Sequence, residues 1–105
     1  TEQQVQSALD WMITNEDEMA KRKADYHDLD RFSKTIKAEL MSKVSSNMSV
    51  SAREIEALAN EEYKTHLDNL REAEQRFLQY EYKMDHNKMI CQLWQTISAN
   101  KRTSI

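Results

Sequence analysis

The 105-residue chain contains no glycine and no proline, residues that together make up about 12% of an average protein. Without glycine, Gly-rich phosphate loops and the common hairpin turns are excluded. Without proline, nothing kinks or stops a helix by removing an N–H. Any tight turn that needs φ > 0 falls to asparagine. One cysteine, Cys91, excludes an internal disulfide and gives no sign of an oxidising compartment. No apolar run approaches the ~18 residues of a membrane span, and no signal peptide is visible. The 15 basic and 18 acidic residues leave a net charge of -3, too little to draw the chain to nucleic acid or anionic membranes. These absences predict a soluble, intracellular, all-helical protein.

Leu, Ile, Val and Phe number only 19, supplemented by six Met, four Tyr and two Trp. The length allows one domain at most, residues 1–105, with a thin core. In the first half Val5, Met12, Met19, Tyr26, Ser33 and Leu40 lie seven apart, with Leu9, Leu29, Phe32 and Ile36 beside them. This heptad-like seam predicts a helix over about 2–46. Asn15 followed by Glu18 is a local start signal, so a break near Thr14–Asp17 is the alternative. Ser45 to Val50 is the one low-propensity stretch and predicts a turn at about 46–50. Ser51 with Glu54 reads as a capping box, and Val50 with Ile55 as its hydrophobic staple.

The second helix is expected over about 51–100. Tyr63, Leu70, Phe77, Met84 and Cys91 form its seam, with Ala59, His66, Ala73, Tyr80, Asn87 and Trp94 on the alternate line. Leu67, Ile90, Leu93 and Ile97 widen the stripe. Each helix would be about 65–75 Å long, and the short connection makes them antiparallel neighbours. The fold expected is an all-α, coiled-coil-like helical hairpin. Its stripes are wider than one partner helix needs, which predicts a homodimer forming a four-helix bundle.

Catalysis finds little support. The positions three before the histidines are Ala24, Tyr63 and Lys83, so the Glu-x-x-His of di-iron bundles is missing. Glu62 and His66 share a face, but His66 reads as a satisfied seam residue that sets register. Cys91 reads as a structural thiol, with His86 on another face of its helix. The runs Glu16-Asp17-Glu18 and Glu61-Glu62 read as solvated faces, with no concavity to shift their pKa values. No catalytic residue, metal ligand or cofactor is expected.

Two surfaces remain. Lys21, Arg22 and Lys23 continue to Arg31, Lys34 and Lys37, a stretch that could touch phosphates. Asp25, Asp28, Asp30 and Glu39 are interleaved with it, and no DNA-reading motif is present. Trp11 and Trp94 lie near opposite ends of the sequence, which an antiparallel hairpin brings together. They read as an aromatic cluster at the open end, or as anchors for a partner.

Three stretches carry a resemblance: Tyr26-His27-Asp28-Leu29-Asp30-Arg31-Phe32 onward to Met41; Ser51 to Ala59 with Tyr63 to Ala73; and Trp94 with Ser98 to Arg102. In this order they resemble a group of small helical proteins encoded by tailed bacteriophages and prophages, often in early gene regions near recombination and replication functions. The likeness covers about three-quarters of the chain. It implies a phage setting and a bacterial cytoplasm, and brings no catalytic residue. The expected function is therefore non-enzymatic: protein–protein contact, accessory to phage recombination or replication or modulating a host enzyme. The partners would be a second copy and a phage or host protein. The alternative is a weak nucleic-acid-binding accessory using Lys21, Arg22, Lys23, Lys34 and Lys37. Secreted helical hairpins with a Trp-x-Gly turn are a poor match, since the turn here holds Ser and Asn.

Overall fold

A computed structural model of the chain describes residues 1–103, which form three α-helices: α1 (Glu2–Ser42), α2 (Val50–Ala59) and α3 (Glu61–Thr103). No strand occurs among the described residues. The all-α hairpin expected from the period is what the chain adopts. Its residues fall into two packed units. One comprises Thr1–Lys21 with the chain from Phe77 onward, and the other comprises Arg22–Arg76. In the first, the ring of Trp11 packs against that of Tyr80. In the second, Ser33 meets His66 and Lys37 meets Glu54. Within each unit, rising numbers on α1 thus meet falling numbers on the partner segment, the mark of antiparallel packing.

α1 passes through Asn15 without a break. The Asn15 side chain donates to the Trp11 carbonyl at 2.8 Å, so it bonds within the helix instead of capping a new one. α1 ends at Ser42, four residues before the expected boundary. Lys43 and Val44 donate back to the carbonyls of Leu40 and Met41, tightening the last turn in the manner of a 3₁₀-helix. Asn47 N–H then donates to Ser45 Oγ and Met48 N–H to the Ser45 carbonyl, a serine-built turn. No residue takes a positive φ among the described residues. The turn therefore needs neither glycine nor a left-handed asparagine.

The second helix starts earlier than expected, and by a different cap. Ser49, not Ser51, is the N-cap, its Oγ accepting from Ala52 N–H at 3.1 Å. Val50 and Ile55 are 61% and 68% exposed, so the staple does not form. Glu54 is left to reach Lys37 Nζ at 2.6 Å across to α1. The expected single helix over 51–100 is also divided. At Asn60 the backbone is extended (φ -69°, ψ 141°), and its N–H closes α2 on the Ala57 carbonyl. Its Oδ1 accepts from Glu62 N–H at 2.8 Å, and its carbonyl accepts from Lys64 N–H. One asparagine is thus the C-cap of α2 and the N-cap of α3, with Glu61 and Glu62 favouring the positive helix end.

α3 continues to Thr103, beyond the expected end near 100, with Lys101 and Arg102 in its last turn. Residues 104–105 lie outside the described residues.

The core is thin. In the first unit Ala8, Phe77, Met84 and Asn87 are buried; in the second, Leu40, Ala57 and His66. Of the seam, Phe77 and Met84 are buried, whereas Tyr63, Leu70 and Cys91 are half-buried. Polar seam residues are satisfied locally. Asn87 Nδ2 donates to the Lys83 carbonyl, and Ser33 Oγ donates to the Leu29 carbonyl. With the Ser33 proton so placed, His66 Nε2–H donates to Ser33 Oγ across 2.7 Å. His66 is the satisfied seam residue its position suggested.

Candidate interaction site

Among the described residues no three His, Cys, Asp or Glu side chains form a metal-binding group. His66 is buried on Ser33 while Glu62 is exposed, so the i, i+4 pair does not act as one site. His86 is exposed and Cys91 half-buried. No helix among the described residues is long and apolar enough to cross a membrane.

The basic stretch is unevenly available. In the second unit Lys37 is spent on Glu54. Arg22 lines a groove of about 470 Å³ with Asp25, Asp28, Asn69, Glu72 and Arg76. Three carboxylates therefore stand around it, and Arg76 is itself paired with Glu72. Arg31 pairs with Asp28. Lys23 and Lys34 are exposed, as is Lys21 in the first unit. The interleaved acids seen in the sequence thus face the basic groups in space, lowering the local positive potential. Also in this unit, the Tyr26 phenol is held above its ordinary pKa, first by its hydrogen bond to Glu74 and then by the Glu74 charge.

The first unit carries a different surface. Trp11 stacks on Tyr80 with ring centroids 6.2 Å apart, and Lys83 Nζ lies 5.0 Å over the Trp11 ring. Trp11 borders a groove of about 480 Å³ whose wall includes Gln4, Ser7, Lys83, Asn87 and Ile90. Trp11 and Lys83 also line a smaller hollow with Asn15, Gln79 and Tyr80. Trp94 lies in a further groove of about 220 Å³ with Val5, Ile90, Leu93 and Ile97. Ile90 and Gln4 belong to both the Lys83 and the Trp94 groove walls, so the two grooves adjoin. Beside them α3 exposes Tyr82, Met89, Leu93 and Ile97, by 66%, 56%, 57% and 48%. These positions are spaced seven, four and four residues apart and form one stripe.

The two tryptophans do not form the single cluster that the hairpin ends suggested. Trp11 meets Tyr80, and Tyr80 is some 14 residues, about 21 Å of helix, from Trp94. Each tryptophan instead walls its own groove on the same unit. Lys83 was not apparent as a site residue from the sequence. Its place over Trp11 follows only from the antiparallel register, which depends on where the turn falls.

No known family, curated protein or solved structure matches the chain.

Proposed function

We propose that the protein is a non-enzymatic interaction module that binds another protein through the Trp11–Trp94 face of its first unit. The observation that supports this reading is the face itself. Half-buried tryptophans wall adjoining grooves, and large apolar residues stand exposed beside them. Exposed contiguous apolar surface with aromatic anchors is the usual mark of a protein contact. The resemblance to phage and prophage helical proteins supplies the setting. The partner is then a phage or host protein in the bacterial cytoplasm, and the role is accessory to recombination or replication or modulation of a host enzyme. The test is affinity capture from phage-infected bacterial lysate with wild type and a Trp11→Ala/Trp94→Ala variant, each checked for helicity. Loss of specific partners in the variant is expected. Capture of the same partners by both proteins would sink the reading.

A second reading is favoured by the thin core. Only five hydrophobic residues are buried among those described, little for a chain of this size. The stripe Tyr82, Met89 and Leu93 would be covered in a homodimer, giving the four-helix bundle. Light scattering over a range of concentrations distinguishes a stable dimer from a monomer.

A further inference from the structure

Resting on the reading of this face as a protein contact, we infer that its grooves receive an acidic amphipathic helix. The first consideration is charge. Acidic residues number 18 of 105 in the chain, yet none lines the Lys83 groove, the Trp94 groove or the hollow beside Trp11. The one charged side chain among them is Lys83. Its ammonium stands over the Trp11 ring, exposed and with no carboxylate partner among the described residues. Elsewhere in the chain Arg31, Lys37, Lys64, Arg71 and Arg76 pair with acids. Lys83 is held where an incoming carboxylate would complete it.

The same wall holds Asn87, only 7% exposed, whose Nδ2 donates to the Lys83 carbonyl within α3.

Shape favours a helix over an added strand. A peptide that adds as a β-strand needs a sheet edge for its backbone groups, and no strand occurs among the described residues. A helix satisfies its own backbone and offers only side chains, at i, i+3/i+4 and i+7. The linings run along α3 from Gln79 to Ile97, about 18 residues or roughly 27 Å, which five helical turns match. Apolar anchors of the incoming helix would flank Ile90, with its acidic residue at Lys83.

The test uses the full chain and three fluorescein-labelled synthetic helical peptides sharing one Leu/Trp apolar face. Their polar faces are rich in Glu, in Gln or in Lys. Fluorescence anisotropy at low salt is expected to rank them Glu, Gln, Lys, with about tenfold between the extremes, the effect of one favourable rim charge against an unfavourable one. Lys83→Glu should invert the order. Ile97→Ser, at a half-exposed position, should weaken all three together. Equal binding by the Glu and Lys peptides, or a preference that survives Lys83→Glu, overturns the inference. Failure of all three peptides overturns it as well. In that event the broader reading still stands if Trp11→Ala/Trp94→Ala abolishes partner capture. If instead Leu93→Glu converts a dimer to a monomer, the occupant is a second copy.

Discussion

Residues 22–76 add polar side chains reaching from one helix to another to their buried Leu40 and Ala57, whereas residues 1–21 and 77–103 are joined chiefly by rings and aliphatic groups. The former has Ser33 on His66, Lys37 on Glu54 and Tyr26 on Glu74. The latter has Trp11 on Tyr80 and buries Ala8, Phe77 and Met84. A polar pair across a seam is directional and pins the register. Apolar packing is non-directional, so it can be left incomplete at the surface and finished by a partner. The difference separates a part suited to holding register from a part suited to docking.

The largest expected effect strikes the apolar unit. Phe77→Ala removes a buried ring and should destabilise by about 3 kcal/mol, read by thermal or urea denaturation. Hydrogen exchange should rise first in residues 1–21 and 77–103; uniform acceleration would show that the two units open as one. Next comes the polar seam. Ser33→Ala leaves the His66 ring without its partner and should cost about 1–2 kcal/mol. The double variant Ser33→Ala/His66→Leu should recover most of that loss. A double variant as unstable as the sum of its parts would deny the pair its coupling.

Smaller is the cap. Ser49→Ala should cost about 1 kcal/mol, while Ser51→Ala should leave stability nearly unchanged. Equal effects would mean that the helix start is not set by Ser49. The smallest effect concerns Tyr26, whose phenol pKa is raised in the folded chain. A raised pKa gives stability that is present below the unfolded tyrosine value near 10 and lost as pH rises through the folded value. Ultraviolet titration should therefore find one tyrosine ionising late, and Glu74→Gln should bring it back towards the others. A titration unchanged by Glu74→Gln would remove Glu74 as the cause.

Much of the fold was legible before any coordinates. The heptad spacing from Val5 to Leu40 and from Tyr63 to Cys91 marks two helical stretches, and Ser45–Val50 marks the break between them. His66 was legible as a polar seam residue. The division at Asn60 had a signal that the spacing alone obscured: an asparagine followed by two glutamates, a helix start in its own right. The candidate site was legible only in its tryptophans.

What the sequence determined by itself is helix, antiparallel pairing and the absence of any turn needing glycine, because period and propensity act over neighbouring residues. Tertiary structure alone decided that Ser49 outcompetes Ser51 as a cap, since Glu54 is drawn to Lys37 on another helix. It alone set Trp11 on Tyr80 and Lys83 instead of on Trp94. Register across two helices depends on where the connecting turn falls. A shift of a few residues there moves every partner along the seam.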